Sequence, residues 1–109
     1  MSASLTEEEV GFLKALYDEE IHRVDTAFSG LLSALEERGV AGNTVVAFTS
    51  DHGEEFMSHW WLGHTRTLYE ELIRVPLVLF VPGQAPGVVT RPVSLVDLPS
   101  TLLSLAGVE

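Results

Sequence analysis

The 109-residue chain is 46% hydrophobic, carries a formal net charge of −10 and contains no cysteine. This supports a single unit over residues 1–109 with one modest core, and it excludes a disulfide framework, a thiolate metal site and a thiol nucleophile. Six basic residues against 16 acidic ones exclude nucleic acid as a partner, because binding a phosphate backbone depends on clustered Lys and Arg. The acids fall in short groups at residues 7–9, 18–20, 36–37 and 51–55, most of which read as solvated helix faces. No apolar run approaches the roughly 18 residues needed to span a bilayer, so no membrane segment is expected in this chain.

Thr6-Glu7-Glu8-Glu9 has the form of a capping box, which predicts a helix start near Thr6. Apolar residues then recur at helical spacing from Val10 through Leu16, Tyr17, Ile21, Val24, Phe28 and Leu32 to Leu35, and Arg38-Gly39 ends the pattern. Tyr17, Ile21 and Leu35 are expected in the core. Gly30 costs about 1 kcal/mol relative to Ala inside a helix, which predicts a bend or break near Ser29-Gly30. After a turn at Ala41-Gly42-Asn43, residues 44–49 (TVVAFT) are apolar without alternation and rich in β-branched side chains. That pattern predicts a strand buried on both faces in a parallel sheet. Residues 75–81 (VPLVLFV) form a second such run ending at Pro82-Gly83, with a short helix expected between the two runs over residues 67–72. Residues 91–96 are expected to be a third strand or an extended segment, and Asp97 to cap a closing helix that carries Pro99 in its first turn and stops at Gly107. The order implies an α/β fold with a mostly parallel sheet flanked by helices.

Ligands in open α/β sheets gather outside the carboxyl ends of the strands, which is where Ser50-Asp51-His52-Gly53 falls. Asp supplies a hard oxygen and His a neutral imidazole nitrogen, both ligand types for a divalent cation, and a glycine beside them allows close backbone approach. As a tetrapeptide alone it fits a capped turn equally well. His59 and His64 follow in a loop with Trp60-Trp61, a density of imidazole and aromatic groups suited to binding.

These segments resemble the sulfatases and their phosphonate and phosphate ester hydrolase relatives. The resemblance covers nearly the whole chain and rests on residues 17–25 (YDEEIHRVD), 43–55 (NTVVAFTSDHGEE), 63–76 (GHTRTLYEELIRVP), Pro82-Gly83 and 93–107 (VSLVDLPSTLLSLAG) in that order. It implies an alkaline phosphatase-like partial domain, the C-terminal part of a sulfatase-type catalytic domain. By position, Asp51 and His52 resemble the family's acidic and Asn-or-His metal ligands for one divalent cation, with calcium expected and magnesium or manganese as alternatives. His64 stands where many members have a Lys on the sulfuryl or phosphoryl oxygens, which gives it a catalytic and substrate-binding role. His59 matches a histidine common in this loop, as a substrate contact or as a residue packing beside Trp60 or Trp61. Arg74 is expected to brace the loop through Glu70 or Glu71.

The resemblance also implies a formylglycine nucleophile, made from a Cys or Ser in a C/S-x-P-x-R motif, and an acidic pair near the N-terminus. These 109 residues contain neither. The expected function is therefore metal-dependent hydrolysis of a small anionic sulfate ester within a larger domain, with the nucleophile upstream and the isolated segment inactive. A phosphonate, phosphodiester or phosphoryl-transferring enzyme of the same superfamily is the alternative, as is a non-catalytic remnant. A partial sheet is also expected to self-associate through its exposed edge.

Overall fold

The computed structural model describes residues 5–108. The first helix, α1, spans Glu7–Glu37 and begins with the capping box read from the sequence. The Glu9 N–H donates to Thr6 Oγ1 at 3.2 Å, and the Thr6 N–H donates to Glu9 Oε2 at 2.8 Å. The helix runs without interruption through Gly30, so the local cost of one glycine is outweighed by the hydrogen bonds propagating on either side. It ends where expected, at a glycine with φ +68°. Gly39 N–H donates to the Glu36 carbonyl and Val40 N–H to the Leu35 carbonyl, the paired bonds of a Schellman cap that need a left-handed residue between them.

A 3-10 turn at Ala41–Asn43 leads into β1, Val46–Thr49. Two short strands follow, β2 at Glu55–Phe56 and β3 at Leu62–Gly63, then a one-turn helix α2 at Glu70–Ile73 and strand β4 at Leu77–Phe80. Strands β1 and β4 pair antiparallel, with Val46 opposite Phe80 and Thr49 opposite Leu77. This corrects the expected parallel sheet: among the described residues both strand pairs are antiparallel. The physical reason lies in the connection. A parallel neighbour needs a crossover long enough to return the chain to the starting end of the sheet, whereas here the hairpin and one-turn α2 keep the chain near the end where β1 stops. The unalternating apolar runs report side chains meant for burial on two faces, and they carry no information about strand direction.

Residues 91–96 form no strand, and a 3-10 turn at Leu95–Asp97 runs directly into α3, Leu98–Leu105. Asp97 consequently has helical torsions and makes no side-chain cap bond, a correction to its expected role. The capping contact moves back to Ser94, whose Oγ accepts from Val96 N–H at 3.3 Å. Helix α3 closes like α1, with Gly107 at φ +72° and Val108 N–H bonded to the Leu103 carbonyl.

Leu72 is the one buried hydrophobic residue among those described, and Glu55 the one buried charged residue. Helix α1 touches the hairpin through Tyr17, edge-on to Phe56 at 5.4 Å, and the sheet through Phe28 against Phe48 at 4.8 Å. Ile21 is half exposed and Tyr17 only partly covered, so neither is the core residue its spacing suggested. The stripe has the right period, but among the described residues the hairpin and sheet cover only part of it, around Tyr17 and Phe28. The radius of gyration, 17.9 Å, exceeds the roughly 13 Å of a compact chain of this length. No helix among the described residues is long and apolar enough to cross a membrane.

Candidate active site at the end of the first strand

The chain leaves the sheet at Thr49, whose hydroxyl donates to the Pro76 carbonyl at 2.8 Å and ties the end of β1 to the start of β4. The next four residues turn sharply. Ser50 Oγ donates to the His52 carbonyl at 2.6 Å, and His52 N–H donates to Asp51 Oδ1 at 3.0 Å. That backbone donor, followed by the nearby His52 imidazole, holds the Asp51 carboxyl below the usual carboxylate range, so Asp51 is anionic at neutral pH. His52 Nδ1 lies 2.9 Å from the Gly53 carbonyl oxygen. A carbonyl can only accept, so Nδ1 carries a hydrogen, and in the neutral ring Nε2 is the nitrogen with the lone pair. Nε2 sits 3.6 Å from Asp51 Oδ2. A divalent cation with bonds of about 2.0–2.5 Å to each would hold two donors roughly 3–3.5 Å apart, so this pair fits a cation with only a small closure.

Gly53 serves a different purpose from the one expected. Its N–H donates to the Leu72 carbonyl at 2.8 Å, and a Cβ built on it would collide with the Glu71 carbonyl oxygen. The close approach that requires glycine here is to the backbone of α2, within the chain itself.

The hairpin supplies the third predicted residue. Strands β2 and β3 pair Glu55 with Gly63 and Phe56 with Leu62, so continuing the register one step places Glu54 opposite His64. Their side chains meet, with His64 Nδ1 3.0 Å from Glu54 Oε2. The His64 ring also stacks on His52, with centroids 4.1 Å apart and planes 23° from parallel. Asp51, His52 and His64 therefore form one cluster.

His59 joins a different group. It stands in the turn between β2 and β3, where Met57 and Trp60 both have positive φ, +65° and +66°. Its ring stacks on Tyr69 at 3.5 Å, and Nδ1 lies 2.9 Å from Glu71 Oε1, an ion-pair distance too far off line for a hydrogen bond. The fully buried Glu55 completes the group: Oε1 accepts from His59 N–H and Oε2 from Thr67 Oγ1, both at 2.9 Å. Neither tryptophan packs on His59 as expected from the sequence. Trp61 carries the Arg66 guanidinium 4.0 Å over its ring, and Trp60 projects into solvent. Ligand atoms of Glu55, His59 and Glu71 lie within 4.8 Å of one another. Both Glu55 oxygens are already engaged by protein donors, so this trio reads as a brace between hairpin and α2. Arg74 pairs with Glu70 at 2.9 Å on the surface, one of the two partners expected, and such an exposed pair contributes little.

Glu54, Glu55 and Thr67 were not singled out by sequence reasoning. The signal for Glu54 and His64 is their ten-residue separation across a turn, and it becomes legible only once the hairpin register is known.

The sulfatase family model matches residues 11–108. The chain belongs to the sulfatase family. It is 38% identical to arylsulfatase K of Xenopus laevis over 109 residues, covering 99% of this chain and 20% of that protein. It is 39% identical to arylsulfatase K of Danio rerio, covering 98% and 20%, and 33% identical to arylsulfatase K of Homo sapiens, covering 94% and 19%. The chain thus spans about a fifth of the length of the curated relatives it matches. No solved structure was found to match it. Sulfatase membership implies an alkaline phosphatase-like α/β architecture for the domain to which this segment corresponds.

Proposed function

We propose that this chain forms one wall of the active site of a sulfatase-type catalytic domain that hydrolyses sulfate esters with one divalent cation. The observation that carries the reading is the pairing of Asp51 Oδ2 and His52 Nε2, 3.6 Å apart at the end of β1, with His64 stacked against His52. Asp51 and His52 would hold the cation through one oxygen and one nitrogen, calcium in the first instance, with magnesium or manganese as substitutes. A cation bound there polarises the ester oxygens and offsets charge developing on them. His64 stands beside that position, where its doubly protonated ring, with Nδ1–H on Glu54, would donate Nε2–H to a sulfuryl oxygen or to the departing oxygen.

His59 supports this wall from behind, through Glu55, Glu71 and Tyr69, and is assigned a bracing role in place of substrate contact. The substrate class is a small sulfate ester; the arylsulfatase name of the relatives favours an aryl ester as the first probe. The nucleophile is not among these residues, since the chain has no cysteine and no S-x-P-x-R sequence. The 109 residues alone should therefore not turn over substrate. The test is hydrolysis of an aryl sulfate by a domain in which this segment is joined to the remaining sulfatase-type sequence. Changing a residue behind a metal ligand already costs 10–100-fold, so His52→Ala should lower turnover by at least about 100-fold. Turnover unchanged by His52→Ala would overturn the assignment.

A further inference from the structure

We infer that Glu54 is the positioning residue of His64: its carboxylate accepts the Nδ1–H hydrogen bond and leaves Nε2 on the far side of a ring stacked against His52. The inference rests on the proposed role of His64 and names a partner for it. Three observations carry it. The β2–β3 register, with Glu55 opposite Gly63, makes Glu54 and His64 direct cross-strand neighbours, so backbone pairing brings them together. Glu54 Oε2 lies 3.0 Å from His64 Nδ1, and a carboxylate at neutral pH can only accept. The glutamate itself is confined, with its side chain largely covered and its other oxygen, Oε1, fully buried. Oε1 and the indole Nε1 of Trp61 both face Gly63, at 3.8 and 3.7 Å from where a Cβ would stand.

The chemical consequence is a choice between two ring nitrogens. An unconstrained neutral imidazole prefers its hydrogen on Nε2, and the partner of one nitrogen decides the state of the other. With Glu54 as acceptor, the hydrogen stays on Nδ1. Nε2 is then held on the far side of the ring, facing away from the glutamate, with the stacking on His52 at 4.1 Å limiting ring rotation. His52 is set the same way by the Gly53 carbonyl. Both imidazoles of the cluster thus direct Nε2 outward from backbone or carboxylate anchors.

The experiment is nitrogen-15 correlation spectroscopy of the histidine side chains in the uniformly labelled 109-residue chain, at alkaline pH where the rings are neutral. His64 is expected to be mainly the Nδ1–H tautomer. Glu54→Ala should shift it to mainly Nε2–H, while Glu54→Gln, which keeps an amide oxygen as acceptor, should restore most of the Nδ1–H form. The His59 and His22 signals serve as the control for folding and should not move in either variant. A wild-type His64 that is mainly Nε2–H, or an Nδ1–H form that survives Glu54→Ala with His59 unmoved, would overturn the inference. The outcome does not depend on turnover, so failure of the proposed role of His64 would show separately, as unchanged sulfate ester hydrolysis in His64→Ala of the joined domain.

Discussion

At the scale of single residues, the exposed Asp51 carboxylate of the cluster and the buried Glu55 carboxylate of the neighbouring brace do opposite work. Asp51 is largely solvent-facing, and its carboxyl is kept ionised by the His52 N–H and the neighbouring imidazole. Glu55 is fully enclosed and is satisfied by the Thr67 hydroxyl and His59 N–H. Removing a donor from a buried carboxylate leaves an acceptor without a partner, and hydrogen bonds to charged groups contribute about 1.5–3 kcal/mol. Thr67→Val should therefore destabilise the hairpin by about that amount, whereas Thr67→Ser should remain near wild type; denaturant unfolding followed through the fluorescence of Trp60 and Trp61 measures both. Asp51, His52 and His64 stand out in the sequence through the ordered motif that carries the family resemblance, and the fold brings them into one cluster. The sequence did not reveal Glu55 or Glu54. An acid among many acids gives no sign of its burial, and its partners Thr67 and His64 are brought to it only by tertiary pairing.

At the scale of elements, α1 and α3 were legible nearly to the residue, the one-turn α2 begins three residues later than residues 67–72 suggested, and the small strands were not legible. Helix α1 announces itself locally: Thr6 and Glu9 cap each other, and Gly39 supplies the left-handed residue that both Schellman bonds need. The Glu9 carboxyl is held below its ordinary range, chiefly by the Thr6 N–H and then by the Thr6 hydroxyl. A carboxyl lowered in the folded state contributes stability above its ordinary range and loses it as pH falls through the lowered value. Protection of the Thr6 amide against hydrogen exchange should therefore persist below the usual titration range of a glutamate and then disappear. Glu9→Ala, which removes the acceptor, should abolish it at all pH values, and Thr6→Ala, which removes the hydroxyl that caps the Glu9 N–H, should cost the helix about 1 kcal/mol. Strands β2 and β3, two residues each, are too short to show periodicity, and the turn between them bends at Met57 and Trp60 with no glycine to mark it. The contact that locks this region to α2 is the approach of Gly53 to the Glu71 carbonyl. Backbone cannot move aside as a flexible side chain can, so Gly53→Ala should cost at least the 1–3 kcal/mol typical of overpacking and should weaken cation binding with it.

At the scale of the whole molecule, the unalternating strands and the long apolar helix stripe were written for a larger body than this chain builds. The exposed surface is 9113 Å², against about 6,000 Å² for a compact monomer of this mass. The difference, about 3,000 Å² on one chain, is more than one partner contributes to a standard interface, about 800 Å². Val78, Leu79 and Phe80 of β4 and Leu31 and Val24 of α1 lie on that uncovered surface, and each strand of the two-stranded β1–β4 sheet has a free edge. Expressed as 109 residues, the protein should associate with itself through these faces; sedimentation velocity should show oligomers, and a single monomeric species with cooperative unfolding would count against it. This also explains why strand direction could not be read: burial on both faces depends on layers that the curated relatives, five times as long, have length to supply. The cluster at the end of β1 does not depend on those layers, because β4, the hairpin and α2 hold it within the chain. Its most direct test is a titration with manganese(II) followed by proton resonances of the four histidine rings, since the ion broadens only signals close to it. The His52 and His64 signals should broaden first, with His22 and His59 spared, and Asp51→Asn should abolish the selectivity. Uniform broadening of all four rings, or loss of the His59 signal first, would contradict a cation site at Asp51 and His52.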